Sequence, residues 1–247
     1  MNLPTLSIIF YCYNEEVLIE ALITQLKPIE TQILKDYDLE ILFVNDGSSD
    51  NTLSEMQKHQ SQLKTLQIIS YDKNKGVGGA IREGWKNSKG ELVMTVPGEL
   101  AFPLEEIPIM LKEKNNAVDV LIASYNHPQS KTVNVPAKRL WLSRGAVFLY
   151  KIVFFLRFGK KIPLYTVSSG FRLYTRTVIE TIHFKAFDFL ANSEIMIRTL
   201  IAGFRVKEHV TTLRWRQEEQ GSTSKMRIFR TIRSHLKFMA FILFYKS

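Results

Sequence analysis

The feature that most constrains this chain is the run Leu39-Glu40-Ile41-Leu42-Phe43-Val44-Asn45-Asp46-Gly47-Ser48-Ser49-Asp50-Asn51-Thr52. Its apolar first half, β-branched at Ile41 and Val44, reads as a buried strand. It stops in a cluster of turn formers. Ser48, Ser49 or Asp50 can cap a following helix that carries Leu53 and Met56. The result is a strand–loop–helix step with a carboxylate, Asp46, at the strand's carboxyl end. In open α/β sheets, ligands bind outside the carboxyl ends of the strands, so Asp46 is placed to read a ligand. As an isolated residue, it is equally well a turn or cap residue.

The step recurs along the chain. Strands are expected at Leu6–Tyr11, Leu39–Val44, Leu66–Tyr71, Glu91–Val96 and Val118–Ala123. Between them, helices are expected from Asn14 through Leu26 with an end near Pro28, and at Thr52–Leu63, Gly76–Asn87 and Leu104–Lys114. Such alternation argues for a mainly parallel central sheet with right-handed crossovers. A length of 247 residues suits one such domain. The second half departs from the pattern. It offers a long helix Arg139–Phe158, a glycine-hinged segment Ser169–Tyr174, a helix Asn192–Ala202 closed by Gly203, a strand Val206–Trp215 and a final helix Met226–Phe244.

Charge divides the chain in the same place. Through Ser124 there are 11 basic and 18 acidic residues, a net of −7; from Tyr125 on there are 22 and 6, a net of +16. A half so basic is suited to an anion: nucleic acid, phosphates or an anionic membrane. No stretch reaches the roughly 20 apolar residues of a spanning helix. The Arg139–Phe158 helix carries Trp141, Phe148, Ile152 and Phe155 on one side among basic residues. From Met226 on, Phe229, Ile232, Leu236 and Met239 share a face beside Arg230, Arg233 and Lys237. Basic amphipathic helices read as membrane-surface elements, although core helices with basic outer faces show the same pattern. The single cysteine, Cys12, excludes an internal disulfide and fits a reducing compartment. Met1-Asn2-Leu3-Pro4 shows no basic n-region, so no signal peptide is expected. The five histidines have no ligand spacing, and no Gly-x-Ser-x-Gly elbow is present.

Three blocks of the first half then combine. They are Tyr11-Cys12-Tyr13-Asn14-Glu15-Glu16, Val44-Asn45-Asp46-Gly47-Ser48-Ser49-Asp50-Asn51-Thr52 and Asn74-Lys75-Gly76-Val77-Gly78-Gly79-Ala80. In this order and spacing the chain resembles the family 2 glycosyltransferases, in particular their dolichol-phosphate mannose synthase and polyprenyl-phosphate glycosyltransferase branch. The resemblance runs from Leu6 to about Lys225. It implies the nucleotide-diphospho-sugar transferase (GT-A) fold, an α/β fold with a mainly parallel central sheet flanked by helices. Here that fold would carry basic amphipathic helices in the C-terminal half. Residues 1–225 would form one transferase domain, with a nucleotide-sugar half (1–124) and an acceptor half (125–225), and 226–247 a basic amphipathic helix.

By that resemblance, Asp46 with Val44 would hold the nucleotide base, and Glu15 with Tyr11 and Tyr13 the ribose. Gly76 would let the third helix start close to the donor, and Gly98 would also be donor-binding; a structural tight turn explains Gly76–Gly79 as well. Relatives place Asp-x-Asp after the fourth strand, holding a divalent metal. This chain has Pro97-Gly98-Glu99, so Glu99 is the one carboxylate left for Mg2+ or Mn2+; a solvated loop glutamate is the plainer alternative. Ser168-Ser169-Gly170-Phe171-Arg172 matches a further block, and Arg172 can instead be structural, paired with a helix carboxylate such as Glu194. Arg139 would orient an acceptor phosphate. Arg216 and Lys225, in Arg216-Gln217-Glu218-Glu219-Gln220-Gly221-Ser222-Thr223-Ser224-Lys225, would close over the donor phosphates. Surface charge is the alternative for both arginines.

The implied activity is inverting transfer of a sugar from a nucleotide-sugar to a polyprenyl phosphate, dolichyl or undecaprenyl. It would work peripherally on the cytoplasmic face of an anionic membrane. A homo-oligomer is compatible with this, and nucleic acid is not an expected partner. Two alternatives stand beside it. One is transfer to a glycan or other hydroxyl acceptor, with Asp188 or Glu194 as base; the other is a non-catalytic nucleotide-sugar binder.

Overall fold

The computed structural model describes residues 3–215 and 228–244. The apolar runs become β1 (Thr5–Cys12), β2 (Asp38–Asn45), β3 (Leu66–Ser70), β4 (Leu92–Pro97) and β5 (Val120–Ser124). They are connected by α1 (Glu16–Ile33), α2 (Thr52–His59), α3 (Val77–Asn87) and α4 (Glu106–Glu113). Then follow β6 (Lys131–Val133), α5 (Ala137–Phe158), β7 (Arg172–Thr175), α6 (Arg176–Thr181), α7 (Leu190–Ile201), β8 (Val206–Val210), β9 (Thr212–Arg214) and α8 (Ile228–Phe244). Seven strands form one sheet in the order β3-β2-β1-β4-β7-β5-β8. Only β7 runs antiparallel, paired with β4 and β5. β6 and β9 form a separate parallel pair.

Strands buried on both faces read as continuous apolar runs, and alternate residues feed two cores. Ile8, Phe10, Ile41 and Phe43 pack with Ile19 and Leu22 of α1, Met56 of α2 and Ile107 of α4. Ile9, Leu42 and Val44 pack with Ala80 and Ile81 of α3 and with residues of α5, α7 and α8.

Several boundaries differ from the sequence reading, each for a physical reason. α1 does not end near Pro28 but carries it inside and continues to Ile33. An interior proline costs about 3 kcal/mol. Ile29 and Ile33 beyond it are both buried, and two such side chains contribute about 3–6 kcal/mol, enough to offset it. The glycine-hinged segment contains β7, which the sequence reading left unassigned. The expected strand Val206–Trp215 divides at Thr211, whose hydroxyl donates to the Glu106 carboxylate; β8 stays in the main sheet while β9 leaves to meet β6. The start of the last helix at Met226 lies outside the described residues. In α5, Val147, Tyr150, Val153 and Phe154 face the core, while Trp141, Phe148, Ile152 and Phe155 are exposed. In α8, Phe238, Met239 and Ile242 are buried and Phe229, Ile232 and Leu236 are not.

Candidate active site

Parallel register sets the site. Tyr11 lies beside Val44 and Pro97, and Cys12 beside Asn45, so β1, β2 and β4 end together. Two bonds extend the ladder past the strand ends: the Asp46 N–H donates to the Cys12 carbonyl (2.9 Å) and the Gly98 N–H to the Tyr11 carbonyl (3.1 Å). Over this edge opens a cavity of about 660 Å³. Its lining includes Tyr11, Tyr13, Glu15, Asp46, Gly98 and Glu99 from the strand ends, the Ser168–Gly170 loop, and residues of α5 and α8.

The three sequence blocks form one structure. Asn14, held at φ +52°, accepts the Ser49 N–H on its Oδ1 (2.8 Å) and donates its own N–H to Ser48 Oγ (3.0 Å). The Glu15 N–H donates to Thr52 Oγ1 (2.7 Å), and Glu16 accepts the Asn51 N–H (2.9 Å). The third block closes on Asp46. Its Oδ1 accepts from the Tyr71 hydroxyl (2.7 Å) and the Lys75 N–H (2.8 Å), and its Oδ2 from Asn74 Nδ2 (3.0 Å). Burial raises the Asp46 pKa, partly countered by those donors. Asp46 is therefore a hub of the loop as well as a wall of the cavity, and Oδ2 is its less committed oxygen. Tyr71 is a site residue that the sequence reading missed. Its one signal was its position just past β3, the parallel neighbour of β2.

Other predicted residues fall differently. Val44 is buried in the core with Ile9 and Leu42, not in the cavity wall. Gly76 has φ +75°, and a Cβ there would strike the Phe187 carbonyl oxygen; at Gly78 it would strike the Ala186 carbonyl oxygen. The glycines of α3 thus admit the segment 186–188, to which the Gly78 N–H also donates (2.9 Å to the Phe187 carbonyl). The close approach that requires glycine is chain to chain, in accord with the structural reading of this block.

Glu99, Tyr11 and Arg139 all line the cavity, with Glu99 close enough to act electrostatically on both. Burial, then the Glu99 charge, pushes the Tyr11 phenol up, so it is a hydrogen-bond donor and not a base. The Arg139 guanidinium stacks on the Trp215 ring at 3.9 Å. Burial lowers its pKa and Glu99 opposes this; an arginine so placed stays charged. Beside it, the Tyr125 hydroxyl meets Ser168 Oγ (2.8 Å) and Ser143 Oγ (3.1 Å). Trp215, Tyr125 and Ser143 carried no sequence signal, because only folding brings α5, β9 and the Ser168 loop together. Arg216 and Lys225 lie outside the described residues.

The carboxylates offered as alternative bases are occupied elsewhere. Glu194 is buried; it accepts the Lys185 and Ala186 N–H groups and pairs with Arg198 Nε (2.7 Å). Asp188 accepts the Leu190 N–H (3.0 Å) and the Ser234 hydroxyl (3.0 Å). Arg172 is structural, but its partner is not Glu194: it is fully buried and donates to the Val167 carbonyl (2.9 Å), the Asn192 carbonyl (2.6 Å) and the Tyr174 hydroxyl (3.3 Å). Among the described residues, the carboxylates in the cavity wall are Glu15, Asp46 and Glu99, none of them from α5 or α8.

Comparison with known proteins agrees with this geometry. The chain is 28% identical over 192 residues to the dolichol-phosphate mannosyltransferase of Pyrococcus furiosus, covering 78% of this chain and 52% of that protein. It is 28% identical over 175 residues to the undecaprenyl-phosphate 4-deoxy-4-formamido-L-arabinose transferase of Serratia proteamaculans, covering 70% and 50%. It spans about half the length of these relatives. Among solved structures, it resembles the glucosyl-3-phosphoglycerate synthase of Mycobacterium tuberculosis in complex with UDP (TM-score 0.65, 16% identity, 97% of this chain and 79% of that one). It also resembles the mannosyl-3-phosphoglycerate synthase of Rubrobacter xylanophilus (TM-score 0.67, 15% identity, 96% and 72%). These likenesses show the fold, that of the GT-A glycosyltransferases. The family model described as glycosyl transferase family 2 matches residues 7–183, the span that holds all three blocks, the Gly98–Glu99 turn and Arg139, and the chain belongs to that family.

Proposed function

We propose that this glycosyltransferase moves a sugar from a nucleotide-sugar to a polyprenyl phosphate, with inversion, at the cytoplasmic face of an anionic membrane. The observation that carries this reading is the uneven distribution of carboxylates. Among the described residues, the carboxylates lining the cavity are Glu15, Asp46 and Glu99; α5 and α8 contribute no carboxylate to it but Lys138, Arg139, hydroxyl groups, His235 and apolar side chains. A hydroxyl acceptor needs a base to take its proton. A phosphate is already an anionic nucleophile and needs none, and Arg139 supplies the matching charge.

In this reading, Asp46 and Glu15 hold the nucleoside and Arg139 orients the acceptor phosphate. A phosphate oxygen bonds to the anomeric carbon as the bond to the leaving diphosphate breaks, and the bonding pair leaves with the diphosphate. Catalysis is then alignment and charge stabilisation, with Arg216 and Lys225 neutralising the diphosphate. No group of three or more His, Cys, Asp or Glu able to hold a metal occurs among the described residues. One carboxylate, Glu99, fits a Mg2+ or Mn2+ shared with the donor diphosphate, since such ions commonly take one or two carboxylates plus substrate phosphates. When bound, the ion would offset charge on the leaving group.

The membrane part rests on α5 and α8. Trp141 is 78% exposed, Phe229 90% and Phe244 82%. They lie among Lys138, Arg144, Lys151, Arg157, Arg230, Arg233 and Lys237. No described helix is long and apolar enough to cross a membrane, so the fitting role is an interfacial one. The names of the two relatives, a dolichol-phosphate and an undecaprenyl-phosphate enzyme, support the acceptor class.

A thermal-shift screen of nucleotide-sugars, with and without Mg2+ or Mn2+, tests the donor half. A donor at a hundred times its Kd adds about 2.7 kcal/mol, or about 5–10 °C in a chain of this size. No shift with any donor, metal present or absent, would refute the proposed donor site.

A further inference from the structure

A second cleft, of about 430 Å³, lies between α3 and the α6 segment, and none of the residues around it belongs to the wall of the main cavity. Its wall contains Arg82, Trp85, Lys86, Arg176, Glu180 and His183, over a floor of Ile179, Ile182 and Phe184. Two guanidiniums are fixed there by main-chain oxygens. Arg82 donates to the Phe184 and Ala186 carbonyls (both 3.3 Å) and lies 4.6 Å from the Phe184 and Phe187 rings. Arg176 donates through Nε to the Gly90 carbonyl (2.8 Å) and through Nη1 to Ser88 Oγ (3.4 Å). Neither has a carboxylate partner among the described residues. Trp85 is 8% exposed, with its ring edge-to-face against Tyr174 and Phe184, and its Nε1–H has no acceptor. A buried donor without a partner is rare and calls for an explanation.

Half-buried guanidiniums held by carbonyls have N–H groups to spare. With Lys86 at the rim they outnumber the one acid, Glu180. We propose that this cleft binds a phosphate-bearing ligand, with Arg82, Arg176 and Lys86 matching its charge beside the Trp85 indole. The same phosphate chemistry is offered by a free phosphate ester and by a phosphate-monoester lipid headgroup. The volume admits a small-molecule ligand, and the Gly98–Glu99 and Arg139 region of the main cavity takes no part.

The test uses the full chain and reads the indole N–H resonance of Trp85, assigned with Trp85→Phe. Inorganic phosphate should move that resonance, whereas chloride at equal ionic strength should not. Arg176→Gln and Lys86→Glu should each weaken the response, the arginine change by about tenfold, the worth of one hydrogen bond between charged groups. Lys86→Glu, at an exposed position, keeps the test valid if Arg176→Gln fails to fold. Phosphatidylcholine vesicles with and without phosphatidic acid distinguish the lipid source from the free one. No response of Trp85 to phosphate or to either vesicle, or a response that Lys86→Glu leaves unchanged, would overturn the proposal.

Discussion

Replacing Asp46 by asparagine tests the hub at the centre of the donor side. The asparagine carbonyl can keep the bonds from the Tyr71 hydroxyl and the Lys75 N–H. Its amide nitrogen must then face Asn74 Nδ2, which now donates to Oδ2 at 3.0 Å. Asn74 cannot turn over freely, because its Oδ1 accepts the Gly76 N–H (3.1 Å) and its Nδ2 also donates to the Asp46 carbonyl (3.0 Å). One hydrogen bond to a charged acceptor is lost, a cost of about 1.5–3 kcal/mol. Against this, burial disfavours the ionised carboxylate, and neutralising it returns part of that cost. The net expectation is a loss of about 1–2 kcal/mol, or about 2–8 °C in Tm. Donor affinity should fall much further, by about a hundredfold or more, because an N–H would replace the oxygen proposed to meet the base. Thermal melts and titration with the best nucleotide-sugar measure both. An unchanged Tm would refute the hub, and unchanged affinity would refute base reading by Asp46.

Gly78→Ala should destabilise by about 1–3 kcal/mol or more, since the added methyl would strike the Ala186 carbonyl and approach Ala191 Cβ at 2.8 Å; a urea melt reads it. Arg172→Met should cost about 1–3 kcal/mol by leaving the buried Val167 carbonyl without its donor; Tm checks it. His209 titrates within a buried cluster. Burial alone would lower its pKa, but Glu106 and Glu113 outweigh that and raise it above 6.5. Its contribution to stability is therefore fully present below pH 6.5 and lost as pH rises through the higher folded-state value. Wild type should lose stability across that window relative to His209→Gln, and parallel profiles would contradict the assignment.

The strand-end wall of the cavity was legible in the sequence because its residues lie on local strand–loop–helix steps. Asp46 and Gly98 follow β2 and β4 directly and Glu15 lies three residues past β1, and the cap-rich loops after β1 and β2 are the ones that clasp each other. Gly76 and Gly78 were legible as glycines but not as to purpose, since the carbonyls that require them come from residues 186 and 187, more than a hundred positions along the chain. The wall formed by the second half of the chain was far less legible. β7 is a four-residue strand inserted antiparallel between β4 and β5, too short to show a period. Stacking of Trp215 on Arg139 and the Tyr125–Ser168 contact depend on long-range docking. Pro28 misled because local propensity lost to the burial of Ile29 and Ile33.

The most direct measurement is nucleoside diphosphate release by the purified chain with its best nucleotide-sugar and Mg2+ or Mn2+, comparing polyprenyl phosphate with the matching polyprenol and with simple glycans. Release that requires polyprenyl phosphate, with an inverted sugar–phosphate linkage in the product, is the expected result. Release supported by a glycan or polyprenol and not by the phosphate would contradict a base-free acceptor site, and would return the search for a base to the residues around that side of the cavity.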